Sequence, residues 1–224
     1  MSAREAILGK VRRALGADGD DSGRLAEVTR RLADTPTGVM PARGQLPAEA
    51  RVALFCTMAG NAAATVARVA KAEDVPNAVS AYLRSRNLAA SVRMGSDQRL
   101  QEMPWVEEAN LQVLHGPSDG SDEVAVSHAT AGIAETGTVV LLSGEDNPTT
   151  LNFLPDHHVV VVNAADIAGD LEAVMEKVRT RFGKGQMPRT LNFVTGPSRS
   201  GDIEQTLLLG AHGPRALHVI VVDG

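Results

Sequence analysis

The sequence predicts an α/β fold: a mostly parallel sheet with flanking helices, preceded by an N-terminal helical extension. Three observations carry that expectation. Short, unbroken apolar runs occupy residues 139–142, 158–162, 191–194 and 217–222; such runs mark strands buried on both faces, as in a parallel sheet covered by helices. Between two of them lies a helix-spaced stretch, 170–182, whose Leu171, Val174, Met175, Val178 and Phe182 recur on one face before Gly183 ends it. Apolar residues make up 43% of the 224, aromatic ones only 3%, so the core has to be aliphatic. Strand, helix, strand is the βαβ unit of a Rossmann-like sheet.

The remaining elements follow in order. Ser2 and Glu5 stand at capping-box spacing. Ile7, Leu8, Val11, Ala14 and Leu15 then recur at helical intervals, and Gly16 stops the run. Residues 17–23 are acidic and contain glycine, which reads as a loop. Ser22 is placed to cap a second helix with Leu25, Val28 and Leu32 on one face. Residues 34–47 hold three prolines and two glycines with little periodicity, the composition of a linker. The expected division is therefore a helical arm and linker at 1–45 and an α/β domain at 46–224. The apolar faces of the arm require a partner, either the main domain or another subunit. Pro47 begins a helix with Val52, Phe55 and Met58 inward. Residues 64–69 read as a strand, Asp74 as the cap of a helix carrying Val75, Val79, Tyr82 and Leu83, and residues 88–94 and 111–114 as strands.

Composition excludes several functions. The net charge is −5, which invites neither nucleic acid nor an anionic membrane surface. One Trp and one Tyr leave no aromatic platform for stacking bases. Cys56 is the single cysteine, so no disulfide forms within the chain, in keeping with a reducing, cytoplasmic compartment. One thiol cannot ligate an iron–sulfur cluster or a thiolate zinc site. The first residues have no apolar signal core, and the longest apolar run is far short of the ~20 residues that span a bilayer.

Several segments are candidates for chemistry. Glu135 sits among small residues before a buried strand, with Thr136 and Gly137 after it. It reads either as a turn-capping or ion-paired carboxylate or as a catalytic one. Thr195-Gly-Pro-Ser-Arg-Ser-Gly-Asp-Ile-Glu204 follows an apolar strand. Its backbone N–H groups, the hydroxyls of Ser198 and Ser200 and the Arg199 guanidinium suit an oxyanion, carboxylate or phosphate. In an open α/β sheet such a loop is expected beyond the carboxyl ends of the strands. The alternative is a polar turn in which Arg199 pairs with Asp202 or Glu204. The segment is neither a P-loop nor a dinucleotide fingerprint. His212, in a Gly-rich stretch, is either a general acid or base or a backbone-bonded histidine. Asn147-Pro-Thr-Thr-Leu-Asn152, with Asn147 and Thr149, offers amides and hydroxyls that line a pocket or form a plain Asn-Pro turn. His157 and His158 are adjacent in a strand and point to opposite faces, so they are poor joint metal ligands, and a metal site is not expected.

Four of these motifs resemble the LUD-domain family of lactate-utilisation proteins, in particular its short members without cluster cysteines. They are Gly132-Ile-Ala-Glu-Thr-Gly-Thr-Val-Val-Leu141, Asn147-Pro-Thr-Thr-Leu-Asn-Phe-Leu-Pro155, Gly196-Pro-Ser-Arg-Ser-Gly-Asp-Ile-Glu204 and the tail from Leu209 to His218. The resemblance is strong from about residue 120 onward and looser before it. Ser200-Gly201 departs from the Thr-Ala expected after the arginine; a hydroxyl is kept. The resemblance implies a fold similar to the sugar-phosphate isomerase and coenzyme A transferase group. In the transferases of that group a glutamate before a small residue and glycine is the nucleophile, an arrangement that Glu135-Thr136-Gly137 resembles. The resemblance also implies a part in oxidising L-lactate to pyruvate, with iron–sulfur clusters on partner subunits and none on this chain. On that reading Arg199 and its neighbours, with Thr136, Gly137, Asn147, Thr149, Ser198, Ser200 and Asp202, hold a lactate-like carboxylate or a phosphate, and Glu135 or His212 moves a proton. A stand-alone isomerase or transferase and a non-catalytic interaction module are the alternatives.

Overall fold

The computed structural model of the chain describes residues 2–16, 21–34, 37–201 and 207–224. The chain forms two units, residues 1–39 and 40–224. The first holds α1 (Ala3–Leu15) and α2 (Ser22–Ala33). Ser2 and Glu5 close a reciprocal capping box, with Glu5 N–H donating to Ser2 Oγ at 3.2 Å and Ser2 N–H to Glu5 Oε2 at 2.7 Å. The cap of α2 is Asp21 rather than Ser22, because its carboxylate accepts from Arg24 N–H at 3.0 Å. Among the described residues neither helix has a buried one.

The boundary falls six residues before the expected one, and residues 40–45 belong to the main unit: Gly44 is buried, and Gln45 Nε2 donates to Asp170 Oδ2 at 2.6 Å. The main unit runs α3 (Ala48–Asn61), β1 (Thr65–Val69), α4 (Val75–Arg86), β2 (Ser91–Met94), α5 (Gln98–Gln101), β3 (Gln112–His115), β4 (Val124–His128), β5 (Ala131–Ile133), β6 (Thr138–Leu142), α6 (Thr149–Phe153), β7 (His157–Asn163), β8 (Ile167–Ala168), α7 (Leu171–Phe182), β9 (Leu191–Val194), β10 (Arg199–Gly201), β11 (Leu207–Leu209) and β12 (Ala216–Val222).

Six strands form a wholly parallel sheet in the order β1-β12-β7-β4-β2-β3. Alternation divides its two faces. Val159, Val161, Ile220 and Val222 pack with Val75, Val79 and Leu83 of α4. Val160, Val162, Val219 and Val221 pack on the other side with Val52, Phe55 and Ala59 of α3 and with Val139 and Leu141 of β6. The strands are therefore buried on both faces, which is why they read as unbroken apolar runs.

One sequence expectation is corrected here. Of the four apolar runs, those of β7 and β12 lie in the parallel sheet. Those of β6 and β9 lie in a second sheet, β8-β5-β6-β9, in which β6 pairs antiparallel with both β5 and β9. The helix-spaced stretch, α7, therefore joins no two strands of the parallel sheet. It follows β8 and precedes β9, the two edge strands of the second sheet. These run parallel to each other, because β8 is parallel to β5 while β5 and β9 are both antiparallel to β6, so α7 is a βαβ crossover within that sheet. It covers the outer face of the second sheet, where Val174 packs with Ala131, Ile133 and Val140. β6 is thus buried on both faces without belonging to a parallel sheet. No helix among the described residues is long and apolar enough to cross a membrane.

Candidate functional site

β9 ends at Val194, and residues 195–198 turn back toward β12. Gly196 makes this turn possible: its φ is +71°, and a Cβ there would overlap the carbonyl of Ala62 just beyond α3. The Ser198 N–H donates to Pro214 O at 2.8 Å, and the exposed Arg199 guanidinium donates to Ala62 O. Thr195 Oγ1 continues a hydroxyl chain, 2.6 Å from Thr138 Oγ1, which is 2.7 Å from Thr136 Oγ1.

A cavity of about 260 Å³ lies beneath this turn, lined by Thr195, Ser198, Arg199 and His212 above and by Asn152 and His158 below. Asn152 and His158 are each 1% exposed. Ser127 joins them. Its hydroxyl donates to Asn152 Oδ1 at 3.1 Å and so accepts from His158 Nε2 at 3.0 Å. His158 Nδ1 is then a bare acceptor and Asn152 Nδ2 a free donor, and both are buried without a partner. Reversing the Asn152 amide reverses every bond of the chain but still leaves one donor and one acceptor at its ends. Burial pushes His158 down to about 3, so its ring is neutral. Such orphaned groups cost about 1–3 kcal/mol each unless something binds them.

His158 and Leu217, which line the cavity, stand at the starts of β7 and β12, paired in register. The cavity is therefore at the amino ends of the parallel strands, not at the carboxyl ends where the sequence places it.

The other predicted residues divide. Glu135 is buried, 3.8 Å from Arg43 Nε, and lines neither this cavity nor the cleft at the opposite end of the sheet. Gly137, with φ +68°, lets the β5–β6 turn press on α3, where a Cβ would overlap the backbone of Met58 and Ala59. Asn147 donates to Leu142 O at 3.0 Å and lines that opposite cleft. Thr149 opens α6 and is exposed. Ser200 pairs with Leu208 in the β10–β11 hairpin. Asp202 and Glu204 lie outside the described residues. Ser127 is the site residue that sequence reasoning missed, whereas Asn152 ends the segment 147–152 whose amides and hydroxyls are expected either to line a pocket or to form a plain turn. The signal for Ser127 is a polar residue inside an otherwise buried apolar strand.

The LUD-domain family model matches residues 52–222. The chain belongs to the LUD-domain family. This LUD-domain chain is 33% identical over 103 residues to Lactate utilization protein C of Halalkalibacterium halodurans, covering 45% of each chain. It is 37% identical over 92 residues to the protein of the same name from Anoxybacillus flavithermus, covering 41% of this chain and 40% of that one. The matched stretch thus spans less than half the length of these relatives. The crystal structure of a DUF162 family protein from Deinococcus radiodurans superposes with a TM-score of 0.59 at 24% identity, over 79% of this chain and 99% of that one, a likeness of fold.

Proposed function

We propose that this LUD-domain protein serves in lactate utilisation by binding a small 2-hydroxy acid in the cavity beneath the Ser198–Arg199 turn. The relatives named Lactate utilization protein C support the process; the relay of Asn152, Ser127 and His158 supports the ligand. A hydroxyl both donates and accepts one hydrogen bond, and the relay ends in one unpartnered acceptor and one unpartnered donor. A cavity of about 260 Å³ suits a molecule of lactate's size. Ser198 Oγ and Arg199 stand across it for the carboxylate.

Oxidation of lactate to pyruvate removes an electron pair. A single thiol, Cys56, does not fit a cysteine-ligated cluster; partner subunits bearing iron–sulfur clusters would supply the electron acceptor. His158 is too weakly basic at about 3 to take the hydroxyl proton. It positions the hydroxyl, and the exposed His212 stands on the rim. The transferase reading, with Glu135 as nucleophile, gains nothing from a carboxylate buried beside Arg43 and lining neither opening.

The test compares L-lactate with propionate, which lacks the hydroxyl, by calorimetry on the full chain. Lactate is expected to bind about tenfold more tightly, because propionate leaves the relay unpaired, and Asn152→Leu removes the preference. Equal affinities would overturn the assignment. Lactate oxidation with an artificial acceptor, in the presence of the partner subunits only, tests the division of labour.

A further inference from the structure

The carboxyl ends of β2 and β4 open on a larger cleft, about 600 Å³, at the opposite end of the parallel sheet. Its walls are the loop after β2, the end of β4, the β6–α6 loop and the segment that closes α7. Three guanidiniums line it, Arg99, Arg181 and Arg189, against the carboxylates of Asp97 and Asp146. Asp97 is already consumed: Arg99 holds it through Nε at 3.0 Å and Nη2 at 2.6 Å. Burial raises the Asp97 carboxyl, but these bonds and the Arg99 charge outweigh that and hold it below the ordinary aspartate value. Arg181 and Arg189 are exposed and have no ion-pair partner among the described residues. Two guanidiniums with no carboxylate partner in one cleft favour an anion there.

His128 lines the same cleft. Its Nδ1 lies 2.9 Å from Ala129 O, and a carbonyl only accepts, so Nδ1 carries the proton and Nε2 presents a lone pair. Beside this polar chamber, a cavity of about 280 Å³ runs under α7 and shares Arg99, Thr130, Leu142, Arg181 and Phe182 with it. Its remaining lining is aliphatic, Ala131, Val140, Val174 and Val178, apart from Asp166 and Lys177, which lie 3.9 Å from each other.

We propose that this two-part cleft binds a phosphorylated small molecule, with the phosphate at Arg181 and Arg189 beside Arg99 and an apolar or ring portion in the cavity under α7. A phosphate dianion offers several oxygens to planar guanidinium forks, where a single carboxylate would engage fewer. The volume is that of a cofactor or drug-sized ligand rather than a three-carbon acid. The position obeys the rule that open parallel sheets bind ligands beyond the carboxyl ends of their strands. The site shares no lining residue with the loop cavity and does not depend on the hydroxy-acid reading.

Phenyl phosphate and inorganic phosphate, titrated into the full chain at low salt by calorimetry, test it. Phenyl phosphate is expected to bind about tenfold more tightly than inorganic phosphate, and Arg181→Ala with Arg189→Ala to weaken both by tenfold or more. Both arginines are exposed, and circular dichroism checks that the double variant is folded. Methyl resonances of Val174 and Val178 should move on adding phenyl phosphate, and those of Leu217 should not. Asn152→Leu should leave phosphate binding unchanged, which separates this site from the hydroxy-acid cavity. Absence of saturable binding, affinity unaffected by the double substitution, or shifts at Leu217 instead would overturn the proposal. Equal affinity for the two probes would remove its apolar half.

Discussion

Acidification from pH 7 to pH 5 is expected to remove about 4 kcal/mol of folding free energy, mainly through His158 and His218. Burial pushes His158 down to about 3. Burial, and after it the charge of Arg86, pushes His218 to about 4. The His218 ring stacks on Tyr82 with centroids 4.3 Å apart, and its Nδ1 lies 2.8 Å from Thr65 Oγ1. In the unfolded chain both titrate at the ordinary 6.5. The unfolded state is then the better proton binder between the two values, so the stability is complete above 6.5 and is lost as pH falls toward 4 and 3. At pH 5 each unfolded imidazole is almost wholly charged and each folded one neutral. The gap of about 1.5 pH units is worth about 2 kcal/mol per histidine. His128 and His157, both lowered first by burial, act in the same sense, while carboxylates at their ordinary values stay ionised above pH 5. Urea melts at pH 7, 6 and 5 measure the loss. His158→Gln and His218→Gln should each reduce the pH 7-to-5 loss by about half. An unchanged midpoint across the range, or an unchanged pH dependence in both variants, would refute the reasoning.

Three further predictions concern single positions. Gly137→Ala introduces a Cβ into the backbone of Met58 and Ala59 at a φ of +68°, and should cost at least about 3 kcal/mol in chemical denaturation. Ser127→Ala strips both His158 Nε2 and Asn152 Oδ1 of their partner; it should cost roughly 1–3 kcal/mol and abolish the preference for lactate over propionate in the same binding assay. Phe55→Ala empties a fully buried position between α3 and the parallel sheet, with an expected loss of about 3–5 kcal/mol in urea unfolding.

The fold was legible where local chemistry and packing agree. Ser2 and Glu5 announce α1 because the same side chains that suggest the cap also make it. Asp170 caps α7 in the same way, accepting from Ala173 N–H at 2.9 Å. The pairing of β6 and β9 was not legible. Val139 and Leu141 face the parallel sheet while Val140 faces α7, and an apolar run records only that both sides are dry, not which strands lie beside it. β4 escapes notice for a different reason. Ser127 and His128 break its apolar pattern; buried Ser127 bonds to Asn152 and His158, which line the loop cavity, while His128 lines the arginine cleft.

The site was half legible for a related reason. Ser198, Arg199 and His212 gather on one cavity as their residue types suggest, but composition cannot show that the Ser198 N–H is spent on Pro214 O or that Glu135 turns toward Arg43. Of the floor only Asn152 belongs to a motif, 147–155. Ser127, Asn152 and His158 come from β4, α6 and β7, and they meet only because Ala125, two residues before Ser127, lies in register with His158, which puts both polar side chains on one face of the sheet. A polar side chain buried in an aliphatic sheet is costly unless it is bonded. Its presence among Val and Ala neighbours therefore demands a partner, within the fold or bound to it. In Ser127 and His158 that demand is only partly met by the protein itself, since the relay stops at two unpaired atoms. The interruptions of the apolar pattern are thus better pointers to this site than the glycine-rich motifs, which mostly report close backbone packing, as Gly137 and Gly196 do against the end of α3.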